Sequence, residues 1–313
     1  MASSKTSIYA ALAANLLIAI TKFIAGAISN SAAMISEGVH SVVDTVNELL
    51  LLLGIYRSKK PADAAHPFGY GKELYFWSFI VSIMIFGLGG GVSVYQGIAH
   101  IIKPEELGDP TINYIVLGLS ILFEGTSLVI AAKAFNKLRG ETPFWEAVVK
   151  SKDPSSFLVL FEDAAAVAGL FVVLIFVYIS HALNKPYLDG VASLLVGLIL
   201  VAVSAILARE SRSLLMGEGV SAHTKERICG MIQDDGDVNK VLHILSTYQS
   251  PSEVLLMLII AFKADLDTAE LNIAIDRIRD LVKKEFKLVR FVIIQPESIE
   301  HHELWNDDTH DIV

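Results

Sequence analysis

The feature that most constrains this fold is a series of apolar segments, each long enough to cross a lipid bilayer. A helix needs about 20 apolar residues to span the hydrocarbon layer, and 53% of the 313 residues are hydrophobic. A chain this apolar is typical of a membrane protein with several spans. We therefore predict an all-α six-helix transmembrane bundle in residues 1–212, with spans at about 7–29, 32–55, 74–102, 112–135, 155–180 and 188–207.

The charge balance and the cysteine count exclude several classes of function. The formal net charge is −9, which leaves no basic surface for phosphate groups, so we expect no nucleic acid as a partner. The single cysteine, Cys229, excludes an intramolecular disulfide framework and a metal site built from several thiolates. The predicted spans contain no HExxH motif and no nucleophile constellation, so we expect that the protein is not an enzyme.

Basic residues predict the orientation of the spans. Lysine and arginine cluster after spans two, four and six, whereas the opposite connections hold only Lys103 and Lys185. By the positive-inside rule, both termini then lie in the cytoplasm. The N-terminal stretch runs into a full-length span without a small-residue cleavage signal, so we expect it to be retained. Because the composition is lean and no transit segment is visible, we expect a multi-pass protein of a bacterial inner membrane.

The second span carries an ionisable stripe on an otherwise apolar helix. At about 100° per residue, its five polar positions fall on roughly one third of the helix circumference. A carboxylate in hydrocarbon costs several kcal/mol, so this face must meet protein, water or a bound ion. His40 and Asp44, one turn apart, can both reach one divalent cation; a polar seam that only joins helices is the alternative. The stripe consists of Glu37, His40, Asp44, Asn47 and Glu48.

Other predicted spans hold isolated polar residues that need partners. Lys22 in the first span can pair with an acid of the second span or extend to the membrane surface. Glu124, near the centre of the fourth span, requires a proton, Lys22 or the ion pathway. Glu162 and Asp163 are adjacent in the fifth span and point about 100° apart, so at most one of them aims fully at a given site.

From about residue 213 the composition becomes that of a small soluble domain. The apolar patterns predict a helix, two strands joined by a Ser-Pro-Ser turn, an amphipathic helix and a last strand. This order, αββαβ, predicts a two-layer α+β domain of the ferredoxin or metallochaperone type over residues 213–298. The polar residues 299–313 are predicted to be a disordered tail.

The second span and its surroundings resemble a known family. The run SAAMISEGVHSVVD, the six predicted spans and the αββαβ domain resemble the cation diffusion facilitator family of divalent metal transporters, over about residues 7–298. The motif HPFGYGKE before the third span and the GEG after the sixth resemble the branch that includes zinc transporter nine of animal cells.

The resemblance implies a tetrahedral metal site formed by spans two and five. It assigns His40 and Asp44 to the pair in span two and Asp163 to the second position of span five. Four residues before Asp163 stands Val159, which cannot bind a metal, so the fourth ligand is Glu162, a water molecule or Glu48. The resemblance also places His66 at a loop metal position, although Tyr70 replaces the second histidine of that loop.

The expected function is a proton-coupled antiporter that exports Zn²⁺ from the cytoplasm in exchange for H⁺. One imidazole with carboxylates suits Zn²⁺ and is also usable by Mn²⁺, Fe²⁺ or Co²⁺. Metal binds only deprotonated ligands, so loading the site releases protons. Glu37, Asn47, Glu48 and Glu124 are candidates for a proton or accessory pathway. A homodimer is expected from the family resemblance, and a transport-inactive metal sensor or scaffold is the non-transport alternative.

Overall fold

The protein divides into two compact units. The computed structural model describes residues 2–106 and 108–299, with the side chains of 2–14, 149 and 150 left out of the description. The first unit comprises the chain up to Lys60 together with Glu73–Arg212, and the second comprises Pro61–Lys72 together with the chain from Ser213 onward. The predicted tail, 299–313, lies outside the described residues apart from its first position.

The segment Pro61–Lys72 differs from the sequence-based expectation, which places it with the membrane helices. In the structure it belongs to the second unit. The ring of Phe68 packs edge-on against Phe291, with centroids 5.3 Å apart. The backbone at Gly71 lies so close to the carbonyl of Gln249 that a Cβ would collide with it. These contacts join residues more than 170 positions apart, which no local pattern reveals.

The first unit is built from long apolar helices. Five helices among the described residues are long and apolar enough to cross a membrane, and the described side chains of α1 form a shorter apolar helix, Asn15–Ser29. The predicted membrane fold class is therefore confirmed. The elements are α1 (Ala2–Ser29), α2 (Ala32–Ser58), α3 (Glu73–Met84), a π-helical turn (Ile85–Gly91), α4 (Val92–Ile102), α5 (Thr111–Arg139), α6 (Phe144–Lys150), α7 (Pro154–Leu183) and α8 (Tyr187–Met216).

Local sequence signals fix where the two central helices begin. Ser31 precedes α2 in an extended conformation, and its side chain accepts a hydrogen bond from the backbone of Met34. Asp153 does the same for α7, accepting from the backbone of Ser155, and Pro154 occupies the first turn, where no donor is lost. These two caps therefore mark the first turns of α2 and α7.

Glycines bring the third and sixth spans into backbone contact. A Cβ on Gly97 would lie 2.8 Å from the carbonyl oxygen of Gly190, and the reverse distance is the same. One heptad away, Gly90 and Gly197 make the same kind of close approach. Small residues allow such approach between membrane helices, so the glycine run of the third span serves packing at Gly90.

The second unit contains, among the described residues, a three-stranded sheet and two helices. Its elements are α9 (Ala222–Gln233), β1 (Val238–Ser250), β2 (Glu253–Phe262), α10 (Thr268–Glu285) and β3 (Val289–Pro296). The strand order is β1-β2-β3, with β1 and β2 antiparallel and β2 and β3 parallel. Buried side chains of the helices, including Ile228 and Ile278, and of β2, including Leu256 and Leu258, supply the core of this unit. The predicted α+β order is confirmed.

Candidate metal centre

A cavity of about 350 Å³ opens among α1, α2, α5 and α7 of the first unit. Nine polar side chains and five apolar ones form its wall. The polar ones are Asn15, Ser41, Asp44, Asn47, Glu48, Glu124, Ser127, Glu162 and Asp163, and the apolar ones are Ile18, Leu51, Phe123, Val159 and Ala166.

The predicted stripe of α2 faces the inside of the bundle. Glu37, His40 and Asn47 are buried, with exposed fractions of 1% or less. The Nδ1 atom of His40 lies 3.2 Å from Oδ1 of Asp44. Neither ring nitrogen of His40 makes a hydrogen bond within the part of the chain that the structure describes. A buried polar atom without a partner costs about 1–3 kcal/mol, so this imidazole is available for another ligand.

Glu162 of α7 points toward α2. Its Oε1 accepts a hydrogen bond of 2.7 Å from the side-chain amide of Asn47. Asp44 of α2 lines the same cavity as Glu162, so carboxyl groups from both helices face one space. Carboxylates gathered in a buried space need protons or a cation to balance their charge, so this arrangement is suited to exchange one for the other.

Asp163 points toward a different neighbour. Its Oδ2 accepts a hydrogen bond of 2.7 Å from the hydroxyl of Ser127 on α5. Asp163 still belongs to the wall of the same cavity. The structure therefore places His40 beside Asp44, and it places Asp44, Glu162 and Asp163 on the wall of one cavity. In residues 2–106 and 108–299, no group of three or more His, Cys, Asp or Glu side chains is already arranged to hold a metal ion.

Lys22 forms a second polar cluster beside this cavity. Its ammonium donates to Glu37 Oε2 at 3.1 Å, to Ser41 Oγ at 2.8 Å and to Glu124 Oε1 at 2.9 Å. Lys22 and Glu37 have no exposed surface. The partner predicted for Lys22 on span two is thus Glu37, and Glu124 pairs with the same lysine.

Two further residues of the prediction, Glu48 and His66, lie outside the groups described above. Glu48 lines the cavity one turn beyond Asp44 and accepts a hydrogen bond of 3.4 Å from Asn15. His66 lies in the second unit, half exposed, with Nδ1 3.5 Å from Asp63 Oδ1 and its ring 4.2 Å from that of Tyr70.

Sequence reasoning missed the hydroxyl groups of this region. Ser41 binds the ammonium of Lys22, and Ser127 holds Asp163. Their spacing offered a signal, because Ser41 follows Glu37 by four residues and Ser127 follows Glu124 by three. Residues at these spacings share a helix face.

Comparison with known proteins adds a family and several relatives. Residues 8–216 match the family model described as the cation efflux transmembrane domain. The chain is 33% identical to the proton-coupled zinc antiporter SLC30A9, mitochondrial, of Xenopus laevis over 249 residues, which cover 79% of the chain and 43% of that protein. It is 30% identical to metal tolerance protein C4 of Arabidopsis thaliana, covering 84% and 57%. It is 25% identical to magnetosome protein MamM of Paramagnetospirillum magneticum, covering 76% and 70%.

The relatives bear on three expectations. The chain spans about half the length of the first two of them. A cation efflux match and a relative named as an antiporter confirm that this is not an enzyme family. The antiporter's name places it in mitochondria, so the expectation of a bacterial inner membrane has no support from it; the multi-pass membrane character stands.

Proposed function

Because the chain belongs to the cation efflux family, we propose that it carries a divalent metal ion, with Zn²⁺ as its main substrate, across a membrane in exchange for protons. The family resemblance predicted from the sequence is thereby confirmed. The observation that carries the proposal is the cavity that Asp44, Glu162 and Asp163 line together, with the imidazole of His40 3.2 Å from Asp44. The name of the antiporter relatives supports zinc and proton coupling.

Three residues form the core of the proposed site. His40, Asp44 and Glu162 supply one nitrogen and two carboxylates, a donor set suited to Zn²⁺. Zinc in proteins is usually four-coordinate, and Asp163, on the same cavity, supplies the fourth ligand in this proposal. Metal entry then replaces the hydrogen bonds that Asn47 and Ser127 make to Glu162 and Asp163.

Proton exchange follows from the same contacts. Carboxyl groups that hold protons must release them before their oxygens bind a metal ion. Acid on the far side of the membrane returns the proton and favours release of the ion. Glu48, one turn from Asp44 on the cavity wall, and Glu124 serve as accessory groups on the pathway.

Orientation and assembly belong to the same proposal. The basic ends of α2 and α5, with Arg57, Lys137 and Arg139, face the cytoplasm by the positive-inside rule. A homodimer forms through the open face of the sheet, where Leu245, Met257 and Ile293 lie directly opposite one another across the three strands and are all exposed. A mass of one protomer per detergent complex would contradict the dimer.

Zinc uptake into vesicles tests the transport proposal. We expect reconstituted Glu162→Gln to lose more than about 10-fold in Zn²⁺ uptake under a pH gradient, because even groups behind a metal ligand change affinity about 10- to 100-fold. Glu105→Gln, the same change at an exposed loop residue, is the matched control and should keep wild-type uptake. Equal uptake by the two variants would contradict the proposed site.

The same assay separates the alternatives. A cavity rich in carboxylate oxygens also suits Mn²⁺, Fe²⁺ and Co²⁺, and uptake of each ion in competition with Zn²⁺ ranks them. A metal sensor or scaffold without transport, favoured by the absence of a preassembled ligand set among the described residues, would bind zinc and move none.

A further inference from the structure

The ammonium of Lys22 occupies a position built like a cation site. Three oxygens surround it at 2.8–3.1 Å, and they come from two helices other than its own. An ammonium has three hydrogens to donate, so these contacts use all of its donors. The lysine is completely buried.

The cluster has more acceptor capacity than one ammonium can use. Glu37 Oε1 and Glu124 Oε2 are buried and make no hydrogen bond within the described part of the chain. Glu37 Oε1 approaches α7 at Gly169, where a Cβ would lie only 2.9 Å away. The glycine therefore leaves room for a carboxylate oxygen that nothing else binds. Two carboxylates face a single positive charge, so the cluster is one charge short of neutrality when both are ionised.

We propose that Lys22 is a tethered cation that fills a second cation position beside the cavity and so limits the membrane unit to one divalent ion. Without the ammonium, Glu37, Glu124 and Ser41 present two carboxylates and a hydroxyl. These are hard oxygen donors, which suit Mn²⁺ or a similar ion. Ser41 and Glu124 also line the cavity, so an ion that reaches Asp44 has access to them.

Lys22 thereby determines how many divalent ions the membrane unit binds. With the ammonium in place, a second divalent ion meets a fixed positive charge at short range, where repulsion in a buried site is strong. A divalent ion can then bind only to the neighbouring groups, which include the imidazole of His40. This inference goes beyond the proposed function, since it concerns how many ions bind and holds whether or not a bound ion is transported.

Binding of Mn²⁺ to the full-length protein in detergent tests the inference. Free Mn²⁺ gives an electron paramagnetic resonance signal that is lost on binding, so a titration counts bound ions per protomer. We expect Lys22→Met to bind one more Mn²⁺ than the wild type. Lys22→Arg, which keeps the charge, and the double variant Lys22→Met with Glu124→Gln, which removes one carboxylate, should both match the wild type. Ions bound elsewhere on the chain cancel in these differences.

Two outcomes overturn the inference, and a third contradicts only the proposed function. The same number of ions on Lys22→Met as on the wild type, with a normal elution profile, overturns the inference. Should Lys22→Met not remain folded after extraction, Mn²⁺ in the extraction buffer is expected to restore its elution profile, and failure to restore it also overturns the inference. A wild type that binds no ion in the cavity contradicts the proposed function alone, because the difference between the variants is still measured.

Discussion

Each unit of this protein holds one cation between two acids, in opposite surroundings. In the membrane unit, Lys22 binds Glu37 and Glu124 with no exposed surface on the lysine. In the second unit, Arg277 binds Asp235 at 2.7 Å and Asp237 at 2.6 Å, with 45% of its side chain exposed. The number of charges is the same in both clusters, and their exposure to solvent is different.

Burial determines how much the loss of one partner of an ion pair changes the stability of a protein. Removing one partner of a buried pair costs about 3–5 kcal/mol, because a charge remains without water or a counter-charge. An exposed pair contributes about 0–1 kcal/mol. The side chains match these surroundings. A compact ammonium meets three separate oxygens in the interior, whereas a planar guanidinium spans two carboxylates at the surface.

The largest expected effect is on the buried cluster. We expect Lys22→Met, without added metal, to lower the free energy of unfolding in detergent by about 3–5 kcal/mol. Adding Glu124→Gln should recover part of the loss, because it removes an unpaired charge. The measurement is thermal unfolding, with the exposed Lys103→Met as the matched control. A loss below about 1 kcal/mol, as small as that of an exposed pair, would contradict the larger cost assigned to the buried cluster.

A smaller effect should follow from crowding the same cluster. Gly169→Ala places a methyl group 2.9 Å from Glu37 Oε1, and overpacking of this kind costs about 1–3 kcal/mol. Gly125→Ala is the control, since nothing lies within 4 Å of a Cβ at that position of α5. Equal melting temperatures for the two variants would show that Glu37 is not held against α7.

The smallest effect belongs to the exposed cluster. Arg277→Ala should destabilise the second unit by about 0.5–1 kcal/mol, and added salt should reduce this difference because the pair is screened. Hydrogen exchange of α10 in the full-length protein measures it. A salt-independent loss as large as that of Lys22→Met would contradict the assignment of the cost to burial.

The pair of Arg277 and Asp235 also predicts how the stability of the second unit changes at acidic pH. The hydrogen bond from Arg277 lowers the pKa of Asp235. A carboxyl with a lowered folded-state pKa contributes stability that is complete above its unfolded value of about 3.9 and is lost as the pH falls through the folded-state pKa. In Arg277→Ala this part of the pH dependence should be weaker, and an unchanged acid limb would show that the pair does not hold Asp235 ionised.

The stripe on α2 was predictable because a helix repeats every three to four residues. The positions of Glu37, His40 and Asp44 on one face follow from spacing alone, and burial of that face follows from the cost of charge in hydrocarbon. The pairing of Lys22 with both Glu37 and Glu124 was one of several options, since it depends on how the helices pack, as where Gly26 and Gly38 bring α1 and α2 close together.

The sequence alone could not predict which of Glu162 and Asp163 faces α2. Adjacent residues on a helix differ by about 100°, so periodicity says only that they diverge. The rotation of α7 decides which one faces α2, and the hydrogen bonds from Asn47 and Ser127 report the outcome. The placement of Pro61–Lys72 with the second unit depends on contacts such as Phe68 with Phe291, which join distant parts of the chain.

Anomalous X-ray scattering from crystals grown with Zn²⁺ tests the proposed metal site most directly. We expect a zinc peak in the cavity at about 2.0–2.2 Å from oxygens of Asp44 and Glu162 and from a ring nitrogen of His40. The Lys22 cluster should show no peak. A cavity without zinc in crystals that bind it elsewhere, or a peak that leaves Glu162 bonded to Asn47 alone, would contradict the site.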